Sequence, residues 1–116
     1  MPALKYEGGS VDVDKNGYLV NLNAWNEAVA AAIAKKEGIK KLTEEHVAVL
    51  KFLRDYYVRF NSFPLLNMVC SNLHKPKSCM TKPFNMDPLK AWKAAGLPQP
   101  GEEALSYLAG PAHPEA

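Results

Sequence analysis

The sequence lacks long hydrophobic runs. Its longest uninterrupted apolar stretch covers residues 28–34 and consists mostly of alanine, whereas a helix that crosses a membrane needs about 20 apolar residues. The first residues, Met1-Pro-Ala-Leu-Lys, do not form the apolar stretch that is typical of a signal peptide. We therefore expect a protein without a membrane segment or membrane partner that works in the cytoplasm.

Cysteine is scarce as well. Cys70 and Cys79 are the two cysteines in 116 residues, and their spacing matches neither a zinc knuckle nor a CxxC redox pair. We predict two free thiols, because a disulfide between them fits the spacing but not a reducing compartment. No zinc-type ligand set is recognisable around His74 or His113, so neither a metal nor a cofactor is predicted.

Neither sign of charge predominates. Fourteen basic and twelve acidic residues leave a net charge of +2, which is too small to predict nucleic-acid binding by itself. An ordinary solvated lysine face is the simplest interpretation of the local basic excess between residues 60 and 100, and a surface for a protein partner, or for DNA or RNA, is the functional one. This range contains one acidic residue, Asp87, and five lysines, which are Lys75, Lys77, Lys82, Lys90 and Lys93.

The periodicity of the chain predicts one mainly helical domain of the α+β class over residues 1–116. Residues 1–22 alternate apolar and polar side chains around Gly8-Gly9 and Asn16-Gly17, which predicts an antiparallel hairpin or a small sheet. A bundle of four or five helices is expected over residues 23–97. The proline-rich residues 98–116 are expected to form a C-terminal tail.

Two long helices carry caps. Asn23 is expected to cap a helix that runs to Lys36, and Thr43 is expected to cap a second helix over Glu44–Phe60. On the outer face of the second helix, the spacing of Lys51, Asp55 and Arg59 predicts i,i+4 ion pairs. The predicted buried stripes are Trp25, Val29 and Ile33 in the first helix, and Val49, Leu50, Leu53 and Tyr57 in the second.

Two shorter helices are predicted over Leu65–Leu73 and Pro88–Ala95, and Gly96 ends the second of them. The turn at residues 61–64 joins the second and third helices and predicts a helix-turn-helix-like element. His46, in the first turn of the second helix, is expected to be structural and partly buried against the sheet.

Three stretches of the sequence stand in a distinctive order. They are GYL at residues 17–19 followed by Trp25, LTEEH and FLRDYY at residues 42–46 and 52–57, and KAAGLPQP at residues 93–100. Together they resemble the DsrC/TusE family of sulfur-relay proteins, in which an AGLPKP segment precedes the functional tail. The resemblance covers roughly residues 10–100.

The resemblance implies a small helical protein that carries sulfur, as a persulfide or trisulfide, on a C-terminal arm. In the family this arm enters a partner, which is a dissimilatory sulfite reductase or the tRNA-thiolation machinery. One family cysteine lies just before the AGLPKP segment and the other lies eleven residues later, and Trp92 and Glu103 stand at these positions here. No catalytic residue is therefore predicted at the family positions.

Three functions follow as alternatives. In the first, the chain is a binding or regulatory family member, not itself an enzyme, that docks to a sulfite reductase or a sulfur-relay protein. In the second, Cys79, which lies between Lys77 and Lys82, replaces the missing cysteines as a sulfur carrier or sulfurtransferase, because nearby positive charge favours a thiolate. In the third, the helix-turn-helix-like element and the lysines bind nucleic acid.

Overall fold

The computed structural model describes residues 2–102. Within this range a two-stranded antiparallel sheet is followed by helices, which confirms the predicted α+β class. Short 3-10 helices at Leu22–Ala24 and Lys82–Phe84 join the longer elements. The strands are β1 (Ala3–Tyr6) and β2 (Gly9–Asp12), and the helices are α1 (Glu27–Lys36), α2 (Glu44–Phe60), α3 (Leu66–Asn72) and α4 (Pro88–Ala94).

The N-terminal hairpin packs against α1. Leu4 pairs with Val11 across the two strands, and Leu4 is buried. A third strand is reduced to an isolated bridge between Val13 and Leu19. The carboxylate of Asp14 closes the intervening turn by accepting from the backbone nitrogens of Asn16 and Tyr18 at 2.8 and 3.0 Å.

Helix α1 begins later than predicted. Its cap is Asn26, whose side chain accepts from the backbone nitrogen of Val29 at 2.9 Å, whereas Asn23 lies in the 3-10 helix. Trp25 between them is extended, with φ −75° and ψ 140°. Its side chain is held at Ala94, and this position is not compatible with a helical backbone at Trp25. Val29 and Ile33 are buried as predicted, and Trp25 is half-buried.

Helix α2 has the predicted bounds. The hydroxyl of Thr43 caps it, and Val49, Leu50 and Leu53 are buried on its inner face. The predicted outer-face pairing is confirmed only in part. Arg59 lies 3.5 Å from Asp55, but the ammonium of Lys51 lies 3.1 Å from Glu27 of α1 and not against Asp55.

The two short helices complete the core. Helix α3 is one residue shorter at each end than predicted, and Asp87 caps α4 by accepting from the backbone nitrogen of Leu89 at 3.0 Å. In residues 2–102, no helix has the length and apolar character that crossing a membrane requires. The largest fully buried side chains include Trp92, Phe84, Leu50, Leu53, Leu66, Met80 and Leu97.

Candidate functional site

The segment after α4, where the tail begins, is held by side chains from two distant parts of the chain. The indole nitrogen of Trp25 donates to the carbonyl of Ala94 at 2.8 Å. The guanidinium of Arg54 donates to the carbonyls of Ala95 and Leu22, both at 2.9 Å, and lies 4.6 Å from the centre of the Trp25 ring. The three stretches that carry the family resemblance therefore meet at one point, which we call the tail base (Trp25, Arg54, Ala94–Gly96).

Gly96 is fitted closely into the tail base. Its φ of +73° lies in the left-handed region that favours glycine. A Cβ atom built on it would lie 2.4 Å from Cδ1 of Trp25 and 3.0 Å from Leu19. The glycine therefore allows the backbone to turn directly beneath the indole ring.

Trp92 stands at the first family cysteine position and belongs to the core. Only 2% of it is exposed, and its indole nitrogen donates to the carbonyl of Pro98 at 2.6 Å. The rings of Phe63 and Tyr57 pack on it with centroid distances of 4.4 and 5.8 Å. This ring also lines a groove of about 280 Å³ that runs along residues 98–101 and 61–63. Glu103, at the second cysteine position, lies outside the described residues.

The two cysteines form a disulfide, so the prediction of free thiols was wrong. Their Cα atoms are 5.7 Å apart, because the loop after α3 turns back on the helix. The backbone nitrogen of Lys75 donates to the carbonyl of Cys70 at 2.9 Å, and that of Cys79 donates to Pro76 at 3.0 Å. Cys70 is 1% exposed and Cys79 is 6% exposed, so Cys79 is not the exposed thiol on which the carrier alternative depended.

A second groove, of about 190 Å³, opens beside Cys79, and we call it the lysine groove. Val49 and Pro83 form apolar parts of its wall, and the side chains of Lys75 and Lys82 contribute positive charge. Glu45 contributes one negative charge. The lysine groove is lined by Glu45, Val49, Lys75, Pro76, Ser78, Cys79, Lys82 and Pro83.

The five predicted lysines do not act as one free surface. The ammonium of Lys90 donates to the backbone carbonyl of Glu37 at 2.8 Å. The ammonium of Lys93 lies 3.2 Å from the carboxylate of the same residue and 4.8 Å from the centre of the Tyr18 ring. Lys75, Lys77 and Lys82 lie instead around the cysteine loop, and their binding of a partner stays a prediction.

His46 packs against the 3-10 helix at Lys82–Phe84 and not against the sheet. Its Nε2 donates to the carbonyl of Pro83 at 2.7 Å, and its Nδ1 accepts from the backbone nitrogen of Thr43 at 3.0 Å. The imidazole also meets the ring of Phe84 edge-on at 5.1 Å. Both ring nitrogens are thus used in holding α2 to the loop, which agrees with a structural role. Within residues 2–102 there is no group of three or more acidic, His or Cys side chains that could hold a metal ion.

Burial shifts the pKa of two groups next to α4. Burial raises the pKa of Tyr18, and the negative charges of Glu37, Asp14 and Asp87 raise it further. Burial lowers the pKa of Arg54 below its usual range, although a guanidinium stays charged at neutral pH. Arg54 could not be predicted as a site residue, because a lone cation in a helix is most simply a solvated side chain until its carbonyl partners are known.

The fold and the tail base define a small α+β protein in which Trp25 and Arg54 fix the backbone at the end of α4. The family described as DsrC like protein matches residues 5–102. The chain belongs to this family, which confirms the resemblance found in the sequence.

Its relatives include sulfurtransferases. The chain is 37% identical over 105 residues to the sulfurtransferase TusE of Pectobacterium atrosepticum, an alignment that covers 84% of this chain and 95% of the relative. The sulfurtransferase TusE of Salmonella typhimurium is 38% identical over 105 residues, with the same two coverages.

Solved structures share the fold. The structure of dissimilatory sulfite reductase I (DsrI) contains a chain that matches with a TM-score of 0.76 at 27% identity, covering 86% of this protein and 97% of that chain. The DsrC/gamma subunit of dissimilatory sulfite reductase from Pyrobaculum aerophilum matches with a TM-score of 0.72 at 32% identity, covering 86% and 92%.

Proposed function

We propose that this chain acts in sulfur metabolism by docking to a partner, without carrying sulfur at the family cysteine positions. The observation that carries the proposal is the buried indole of Trp92 at the first of these positions. Glu103 stands at the second. A sulfur carrier needs a thiolate as its nucleophile, and neither side chain supplies one.

The tail base supports docking. Trp25 and Arg54 fix the backbone at Ala94 and Ala95 through one hydrogen bond each, so the segment that follows leaves the core in a defined direction. Three apolar side chains in residues 58–65 are exposed, namely Val58, Phe60 and Leu65, at 71%, 61% and 64%. In the sequence they lie next to Tyr57 and residues 61–63, which line the groove at Trp92. Exposed apolar patches are typical of protein-protein interfaces, and we propose that these side chains contribute to one.

We propose that the partner is a dissimilatory sulfite reductase or a sulfur-relay protein in the cytoplasm. This inference rests on the chain's relatives, which include a gamma subunit of dissimilatory sulfite reductase and sulfurtransferases. The chain would occupy the place of a cysteine-bearing relative, and would thereby regulate sulfur transfer instead of performing it.

Competition with a cysteine-bearing relative tests this function. Purified sulfite reductase with a bound DsrC protein is titrated with this chain, and release of the relative is followed by size exclusion. We expect this chain to displace the relative and to lower sulfur transfer. Phe60→Ser should weaken displacement, whereas Val20→Ser, which changes a 46% exposed side chain near the hairpin, should not.

Two results would contradict the proposed function. The first is that neither a sulfite reductase nor a TusE-type relay complex binds the chain. The second is stoichiometric persulfide labelling of Cys79, passed on to an acceptor protein, which would favour the sulfur-carrier alternative.

A further inference from the structure

We infer that the Cys70–Cys79 disulfide is an exchangeable redox pair, in which a small anionic thiol enters the lysine groove and attacks Cys79. This activity goes beyond docking and does not depend on it, because the cysteine loop and the tail base share no residue. Four observations support the inference.

The two cysteines differ in exposure. Cys70 lies within α3 and is 1% exposed, whereas Cys79 is 6% exposed and forms part of the groove wall. Thiol–disulfide exchange needs a thiolate to reach one sulfur of the bond while the other leaves. The geometry therefore assigns Cys79 as the attacked sulfur and Cys70 as the leaving sulfur.

The charge of the lysine groove selects the attacking thiol. Lys75 and Lys82 outweigh Glu45 along its wall, and Lys77 in the same loop adds a further positive charge. A cleft that carries one sign of charge raises the local concentration of ligands of the opposite sign. A thiol that bears a second negative group, such as a sulfonate or carboxylate, is thus favoured over a cationic thiol.

The loop is held by bonds other than the disulfide. Backbone hydrogen bonds join Lys75 to Cys70, Cys79 to Pro76 and Thr81 to Ser78, at 2.9, 3.0 and 3.0 Å. His46 fixes the following turn through the carbonyl of Pro83. These contacts persist when the S–S bond opens, so the two sulfurs stay close enough for the bond to form again.

The leaving sulfur has a polar neighbour. The Sγ atom of Cys70 lies 3.5 Å from the carbonyl oxygen of Lys77, which can accept a hydrogen bond from a thiol once the disulfide is open. The reduced form is therefore provided with a partner in the interior. A disulfide in a cytoplasmic protein is also usually catalytic or redox-sensing and not permanent, which fits the location proposed above.

The exchange balances as follows. A thiolate RS⁻ forms a bond to Sγ of Cys79 as the S–S bond breaks, and the electron pair of that bond leaves on Sγ of Cys70. That thiolate takes a proton from water, and the resulting thiol donates a hydrogen bond to the carbonyl of Lys77. A second RS⁻ then attacks the R-group sulfur of the mixed disulfide, and the electron pair of that bond leaves on Sγ of Cys79. This thiolate takes a proton from water as well, so that RSSR is released and both cysteines are reduced. Two thiols are oxidised to one disulfide while one protein disulfide is reduced to two thiols.

The test measures the rate of exchange on the folded full-length chain at low salt. The anionic probe is 2-mercaptoethanesulfonate and the cationic probe is cysteamine, each normalised to its rate with a small linear disulfide. We expect the anionic thiol to react faster. The variant Lys75→Gln/Lys82→Gln should lose about fivefold of the anionic rate by simple Coulomb attraction at ~8 Å in water, and Glu45→Gln should gain rate.

The matched control is Lys40→Gln/Lys41→Gln, which removes the same charge from exposed residues that do not line the lysine groove. It should leave the anionic rate nearly unchanged. Alkylation with iodoacetamide during the reaction should trap the sulfonate adduct on Cys79 and the alkyl group on Cys70, as read by peptide mass spectrometry.

Several outcomes would overturn the inference. They are an adduct on Cys70, equal normalised rates for the two thiols, and the same loss in the control variant as in Lys75→Gln/Lys82→Gln. Exchange that requires denaturant would also overturn it, because the disulfide would then be a buried structural bond.

Discussion

Side chains at the tail base leave little room for substitution. Gly96 has Trp25 and Leu19 within 3.0 Å of the place that a Cβ would occupy. Trp25 cannot move away easily, because its nitrogen is bonded to Ala94 and its ring faces the guanidinium of Arg54. Because each of these side chains is held by the next, the backbone at Gly96 has little freedom to move.

Gly96→Ala should be strongly destabilising. A left-handed backbone at a non-glycine residue costs about 1 kcal/mol or more, and overpacking in a fitted core adds about 1–3 kcal/mol. We expect a loss of at least about 2 kcal/mol in the free energy of unfolding, measured by urea denaturation. Gly101→Ala is the matched control, since a Cβ there meets nothing within 4 Å. Equal stability of the two variants would show that the backbone at Gly96 moves freely.

Tyr18 should make the protein sensitive to alkaline pH. Because burial, Glu37, Asp14 and Asp87 raise its pKa in the folded state, the unfolded chain loses this phenol proton first as the pH rises. The stabilisation is complete below about pH 10, the ordinary pKa of tyrosine, and is lost as the pH rises through the folded pKa.

The free energy of unfolding of Tyr18→Phe should therefore fall less steeply above about pH 10 than that of the unchanged chain. Denaturant melts at each pH measure this dependence. Tyr56→Phe removes a phenol from the outer face of α2 and serves as the control. If both variants show the same alkaline slope as the unchanged chain, Tyr18 does not retain its proton preferentially in the folded state.

Among the elements, α2 joins the core to the tail base. Leu50 and Leu53 are fully buried on its inner face, while Arg54, one residue on, reaches the carbonyls of Leu22 and Ala95. Packing and tail anchoring are thus properties of the same helix.

Leu53→Ala should cost about 2–5 kcal/mol of unfolding free energy, the usual range for a leucine deleted from a core. Val58→Ala, on the exposed side of the same helix, should change it by less than about 0.5 kcal/mol. Chemical denaturation of both variants measures the difference. A loss below about 1 kcal/mol for Leu53→Ala would mean that the packed face of α2 is softer than its burial indicates.

The bounds of α2 and α4 were predictable because their caps are local. Thr43 and Asp87 bond to backbone nitrogens two or three residues away, so the sequence alone contains both partners. The start of α1 was missed because Trp25 is drawn to Ala94, 69 residues later.

The candidate site was less predictable for the same reason. The pairing of Lys90 and Lys93 with Glu37 spans 53 and 56 residues, and the disulfide depends on how the loop folds back on α3. Trp92 and Glu103, by contrast, could be placed at the cysteine positions by alignment alone, since that step needs no contact.

The charges of the whole molecule argue for a protein partner over a nucleic acid. The net charge is only +2, and α3, which would be the recognition helix of a helix-turn-helix, has the sequence LNMVCSN without a basic residue. A recognition helix normally supplies Arg or Lys to phosphates and bases. Of the five predicted lysines, the three that do not contact Glu37 are Lys75, Lys77 and Lys82, which lie around the cysteine loop after α3.

We expect no binding of duplex DNA or tRNA at about 150 mM salt. If Lys75, Lys77 and Lys82 bind phosphates at lower salt, the log–log slope of affinity against salt should be no steeper than about −2.7, at ~0.9 per phosphate. Titration by fluorescence anisotropy measures both. Tight binding at physiological salt, abolished by replacing the three lysines with glutamine, would favour the nucleic-acid alternative.

The hydrogen bonds at the tail base also decide where the chain can be cut. Ala95 supplies an acceptor to Arg54, Pro98 supplies one to Trp92, and Leu97 is fully buried. A truncation after Ala94, at the end of α4, removes all three and leaves a guanidinium and an indole nitrogen without these acceptors. We expect that product to remain unfolded by circular dichroism, whereas a chain ending at Pro100 should melt like the full one. We therefore expect the smallest autonomous unit to include residues 95–100, and a fusion partner or tag should be joined after them.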